Sequence, residues 1–228
     1  MLKIDNVVLP SVAQWDAIIR GMRNPKNSWG RSDSYWDSAC GDDYLPTYVV
    51  GNNDMTLMKT LVSGGPVHAK FRRMIVVYLD VTAPLLWWKE YDTYKISTVA
   101  NSCSTMHKIT EKEFTLDDFS HEHLDDISLE ALQKVIHTLN IARENYIENS
   151  EERHKALKIT RKDDWWQLIQ LLPSSYNQRR TLMLNYEVLS NIYKWRRHHK
   201  LDEWHTFCDW IETLPYAKEL IIGEKGDD

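Results

Sequence analysis

Cysteine, glycine, proline and phenylalanine are all scarce in this chain of 228 residues. The three cysteines, Cys40, Cys103 and Cys208, are odd in number and widely spaced with no CxxC pair, which excludes a disulfide framework and a zinc ribbon. Eight Gly and seven Pro are too few breakers for the many tight turns of an all-β sandwich or barrel, so helix is expected to dominate. No stretch approaches the roughly 18 consecutive apolar residues of a membrane span, and the start of the chain lacks the basic segment and apolar run of a signal peptide. A cytoplasmic location and no membrane partner are the corresponding expectations. With 28 Lys plus Arg against 33 Asp plus Glu, the net charge of −5 offers no general basic face for a nucleic-acid polymer.

What is present is a folded-domain balance of 43% hydrophobic and 27% charged residues, over a length that suits one domain, 1–228. Ten Trp and 11 Tyr against four Phe favour rings that bury a face and hydrogen-bond at an edge, as in interfaces, stacking pockets and, most commonly, cores. Residues 21–43, rich in Asn, Ser, Asp and Gly, read as a long loop pinned by Trp29, Tyr35 and Trp36. Asp54 is placed to cap a helix carrying Met55, Met58, Leu61 and Val62, which Gly64, Gly65 and Pro66 stop.

The run from Phe71 to Ala83 predicts a strand. Residues 111–126 form an acidic connection. Ser128 is a candidate cap for a helix with Leu132, Val135, Ile136, Leu139 and Ala142 on one stripe. Spacings of four, three and four through Leu182, Tyr186, Leu189 and Tyr193 predict a helix from Leu182, and Trp204, Phe207, Cys208 and Ile211 mark another buried face. The tail after Gly223 is expected to fray.

Several clusters have both a chemical and a plain reading. Gly64 and Gly65 lack a GxGxxG or P-loop context and read as a helix stop. His121 and His123 among acids resemble a solvated loop, and His198, His199 and His205 diverge around a helix, so no metal site is assigned. Cys103 as a nucleophile would need Lys95, His107 or Lys108 to depress its pKa; its plain reading is a small residue under a loop. The basic groups Arg72 and Arg73, Arg179 and Arg180, and Arg196 to Lys200 suit either a phosphate or, for the last, a helix C-terminal dipole.

Two segments, TAPLLWWKEYDTYKISTVANSCSTMH at 82–107 and LPSSYNQRRTLMLNYEVLSNIYKWRR at 172–197, together resemble the flavin-dependent thymidylate synthase (ThyX) family. Asn185 and Arg196 keep that family's eleven-residue interval, Leu189 and Asn191 fall in register, and Leu172, Pro173 and Tyr176 precede them. The family's Arg-His-Arg triplet becomes Thr93, Tyr94 and Lys95. In its next motif Asn101 and Ser104 match, while Ser102, Met106 and His107 replace Glu, Arg and Tyr; Glu187 replaces a later Arg.

The resemblance implies an α/β (α+β) fold, a small twisted sheet flanked by long helices, and a homotetramer. It implies reductive methylation of dUMP with FAD, NADPH and methylenetetrahydrofolate, and no thiol nucleophile; no catalytic residue is assigned. By position Ser104, Asn101 and Arg196 would bind substrate, and Lys95, Asn185 and Arg196 cofactor. Each lost guanidinium contact costs about 1.5–3 kcal/mol of anion binding. The alternative is therefore a repurposed or non-catalytic homologue that binds a different nucleotide or acts as an oligomeric interaction protein. A third class, a Trp-rich scaffold, would bind a protein through the 21–43 loop.

Overall fold

A computed structural model describes residues 1–37 and 47–223. In chain order the elements are β1 (Lys3–Val8), α1 (Val12–Arg23), β2 (Tyr35–Asp37), β3 (Thr47–Val49), α2 (Asn52–Ser63), β4 (Val76–Pro84), α3 (Leu85–Tyr91), β5 (Val99–Ser102), α4 (Thr105–Lys108), α5 (Asp126–Glu148), α6 (Glu151–Leu157), α7 (Arg161–Leu171), β6 (Asn177–Asn185), α8 (Tyr186–Arg196) and α9 (Asp202–Glu212). Helix dominates, and the main sheet has the order β1-β4-β6-β5. β2 and β3 pair antiparallel in a separate two-stranded sheet, with Trp36 opposite Tyr48. The α/β class expected from the sequence is the class observed.

The chain divides into two compact units. The first comprises Met1–Lys3, Val81–Thr93 and Asn101–Arg180; the second comprises Ile4–Asp80, Tyr94–Ala100 and Thr181–Asp228. In the first unit, α5 starts at Asp126 because Asp125 accepts the Ser128 N–H at 2.8 Å, three residues earlier than the Ser128 cap expected. Its stripe of Leu132, Ile136, Leu139 and Ala142 closes with Leu168 of α7 and with Ile109, Phe114 and Phe119 into one apolar cluster. Burying each of the large members fully contributes about 1.5–3 kcal/mol. Asp164, buried on α7, ties α6 to it by accepting Arg153 Nη1 and His154 Nε2, both at 2.7 Å. At α3 the first free N–H groups, of Leu85 and Leu86, donate to the carbonyls of Tyr176 and Ser174 at 2.9 Å, so the turn after Pro84 needs no side-chain cap. Trp87, Trp88 and Tyr91 are buried behind it.

The second unit is built on α1, whose Ser11 and Gln14 form a reciprocal capping box and whose Trp15, Ile18, Ile19 and Met22 are buried at helical spacing. Residues of the long 21–43 segment are ordered as short 3-10 turns at Asn24–Lys26 and Trp29–Arg31, then as β2. The remainder of that segment, from 38 onward, lies outside the described residues, as does Cys40; so does the tail after Gly223. Asp54 does not cap α2. It lies in the first turn, fully buried, where it accepts from the Ser32 and Ser34 hydroxyls at 2.7 and 2.6 Å, from the Asp33 and Ser34 N–H groups, and from Arg23. Asp33 takes over the cap, its carboxylate accepting the Asn53 and Asp54 N–H groups at 2.9 and 3.1 Å. Only glycine fits at 51, since a Cβ there would approach Asp33 Cγ to 2.3 Å.

Two further predicted elements shift. The strand expected from Phe71 begins only at Val76, because Lys70–Met74 forms a 3-10 turn that buries the adjacent Phe71 and Arg72, which an extended strand would send to opposite faces. The helix expected from Leu182 begins at Tyr186: the preceding residues are β6, where Leu182 and Leu184 alternate inward at period two.

Candidate functional site

Asn185 ends β6 and starts α8, its Oδ1 accepting the Val188 N–H at 3.1 Å. Tyr186, Leu189 and Ile192 turn one face of α8 inward, fixed by Tyr186 donating to the Pro215 carbonyl at 2.8 Å and Ser190 to that of Ile221 at 2.7 Å. Helical spacing then sends Glu187, Asn191, Lys194 and Trp195 to the opposite side, where they line a cleft of about 640 Å³ within the second unit. Ile96 and Ser97 form part of its wall, and Arg72 and Arg73 another.

Arg72 is 7% exposed; its Nη1 donates to the Leu220 carbonyl at 3.1 Å, while its buried Nε has no hydrogen-bond partner. Burial lowers its pKa, with the Glu187 charge opposing that shift. Arg73 grips Glu187 with two guanidinium nitrogens, Nη2 at 3.0 Å. Among the described residues the cleft thus has three cations, Arg72, Arg73 and Lys194, against one carboxylate that is already paired. Ser97 adopts the left-handed conformation with φ 61°, which costs an L-residue roughly 1–2 kcal/mol, and its carbonyl accepts Asn185 Nδ2 at 3.5 Å.

The residues singled out from the sequence fall into both units. Lys95, immediately before Ile96, is exposed in the second. There too, Arg196 donates its Nε to the Tyr94 hydroxyl at 3.0 Å, and its guanidinium packs 4.9 Å from the Trp204 ring and 5.6 Å from that of Tyr94. The structure therefore brings the 94–97 segment onto α8 at two points, Tyr94 to Arg196 and Ser97 to Asn185. Asn101 and Ser104 are exposed in the first unit. Their loop is tied down by Cys103 N–H to the Arg179 carbonyl at 3.1 Å and by Gln178 Nε2 to the Cys103 carbonyl at 3.1 Å. Arg180 stacks 4.2 Å over Trp88 and pairs with Asp92 at 2.8 Å. Among the described residues no group of three His, Cys, Asp or Glu is placed to hold a metal, and no helix is long and apolar enough to cross a membrane. Sequence reasoning left open what Arg72 and Arg73 do; the reach of Arg73 to Glu187 and of Arg72 to the Leu220 carbonyl, each more than a hundred positions away, carries no local signal.

The fold is ThyX-like. No family profile and no curated protein matches the chain in sequence. Among solved structures it is similar to ThyX of Helicobacter pylori with FAD and dUMP, at 17% identity over 97% of this chain and 98% of that one, TM-score 0.57. A second structure described as flavin-dependent ThyX from the same organism, complexed with FAD and dUMP, gives 17%, 97% of each chain and 0.54. A UMP/dUMP methylase, PolB of Streptomyces cacaoi bound with 5-Br dUMP, gives 14%, 93% and 89%, and 0.53. At such identities the likeness establishes the fold.

Proposed function

We propose that the protein is a flavin-dependent, nucleotide-modifying enzyme, with reductive methylation of dUMP as its reaction and FAD held in the cleft beside α8. The observation that carries this reading is the composition of that cleft: Ile96 and Ser97 come from one motif segment, Glu187, Asn191, Lys194 and Trp195 from the other, and Arg72 and Arg73 supply charge. An anionic ligand with planar rings fits such walls, because Lys194 and the Arg72 guanidinium attract phosphates while the Trp195 indole offers a face.

Bound there, FAD would supply hydride-transfer chemistry. The chain's part is to hold it: Arg72 and Lys194 against the phosphates, Asn191 as a hydrogen-bond partner, and Lys95, Asn185 and Arg196 as the cofactor-side residues given by position. Asn101, Ser104 and Arg196 are the proposed nucleotide contacts. NADPH as hydride donor, methylenetetrahydrofolate as carbon donor and a homotetrameric assembly belong to the same proposal. Neighbouring proteins of this fold carry FAD, dUMP or a dUMP analogue, which supports the reading.

A specific observation favours the second reading, a homologue with a changed or lost ligand. Asn185 is used as a helix cap, Arg196 is packed against Tyr94 and Trp204, and Glu187 stands where the family resemblance expects Arg. Incubation with FAD followed by gel filtration separates the two: the enzyme reading expects a yellow protein fraction and a thermal shift with dUMP. A colourless protein that dUMP does not stabilise overturns it.

A further inference from the structure

The first unit has its own pocket, of about 590 Å³, that the reading above does not use. Its floor is aromatic. Trp165 of α7 is fixed edge-on by donating Nε1 to the Met106 carbonyl at 3.1 Å and packs its ring 4.8 Å from Trp166. Arg161, one helical turn earlier on the same face, lies 4.3 Å over the Tyr146 ring and donates its Nε to the Tyr146 carbonyl at 3.2 Å. That arrangement fixes the guanidinium plane while using neither Nη group. Lys162 and His107 complete the polar side, and among the described residues no carboxylate lines the pocket.

A planar fork held against an aromatic ring, a second cation and an indole within the same cavity suit one ligand chemistry: a flat heterocycle bearing a phosphate. Phosphate oxygens match the Arg161 fork and the Lys162 charge, while the ring stacks on Trp165. The volume lies within the range of small-molecule sites. We infer that this pocket binds a nucleoside monophosphate through Arg161, Lys162 and Trp165. The choice of a nucleotide rests on the function proposed above, but the residues are new to it. Met106 and His107, where the family resemblance expects Arg and Tyr, line the same cavity, so α7 supplies the cations that the 101–107 segment lacks.

The test is calorimetric titration of the full chain with dUMP, uridine and inorganic phosphate, repeated on the Arg161→Ala/Lys162→Ala double variant, on Trp165→Leu and on Arg161→Lys. The expected result is saturable dUMP binding, with uridine and phosphate each at least about tenfold weaker. Both the double variant and Trp165→Leu are expected to raise the dUMP Kd about tenfold or more, with Arg161→Lys between them and the wild type. Arg161 and Lys162 are exposed, so their variants keep the fold if Trp165→Leu does not. Unchanged dUMP affinity in the double variant overturns this inference and leaves the nucleotide reading standing. Loss of dUMP binding in that variant, in a protein that takes up no FAD, upholds the pocket and overturns the flavin reading. A wild-type protein that binds no dUMP overturns the pocket outright.

Discussion

Among the described residues each unit buries one aspartate, and the two are satisfied differently. Asp54 in the second unit is surrounded by hydroxyls, backbone N–H groups and the buried Arg23, so its charge is neutralised entirely inside the protein. Asp164 in the first unit is held by Arg153 and His154, whose side chains keep 29% and 13% of their exposure. The clefts repeat the contrast. Beside α8 the one carboxylate is locked by Arg73, whereas the pocket on α7 presents Arg161 and Lys162 with no acid opposite them. In the cleft beside α8 the protein's own acid cancels one of the cations; in the pocket on α7 no described acid does so.

The sharpest break of that contrast is Asp54→Asn, which leaves Arg23 buried and charged without its counter-ion. A loss of about 3 kcal/mol of unfolding free energy is expected in urea, together with release of the 32–34 turn to proteolysis. An unchanged unfolding midpoint would remove the assigned role of the pair. Asp164→Asn is expected to cost less, about 1.5 kcal/mol, because Arg153 and His154 can turn toward water. Burial acts to raise both carboxyl pKa values, but hydrogen bonds from Ser34, Ser32 and Arg23, or from His154 and Arg153, outweigh it and hold each below the ordinary 3.8. The sign follows: each contributes stability above that value and loses it as pH falls through the lower folded pKa, so the double Asn variant is expected to show a shallower acid unfolding below about pH 4.

The smallest expected change is Glu187→Gln. Freed of its carboxylate, the exposed Arg73 fork becomes available to an anionic ligand, and FAD affinity is expected to rise roughly fivefold. Equal or weaker binding in an equilibrium titration would mean that the Arg73–Glu187 pair positions α8 and does not hold down the charge of the cleft.

Much of the scaffold was legible. The stripe on α5 and the buried face of α9 follow from apolar spacing alone, because 3.6-residue periodicity leaves one side to bury. Leu182 and Tyr186 were misread as one helix since a spacing of four is shared by accident across the junction of β6 and α8. The alternation Leu182, Leu184 and the capping Asn185 were the signals that divide them. The eleven-residue interval from Asn185 to Arg196 spans α8, but it says nothing of what either side chain touches. Arg161 and Trp165 share a face of α7 that the structure shows to begin at Arg161; their meeting with Tyr146 and Met106 had no local signal, since those lie on other elements.

By itself the sequence determined the helical excess and the apolar faces that close each core, because these depend on composition and on repeats a few residues long. The tertiary structure alone decided which charges are cancelled and which are offered. Arg73 meets Glu187 and Arg23 meets Asp54 across long stretches of chain, and electrostatic pairing depends on distance in space, which local pattern does not encode.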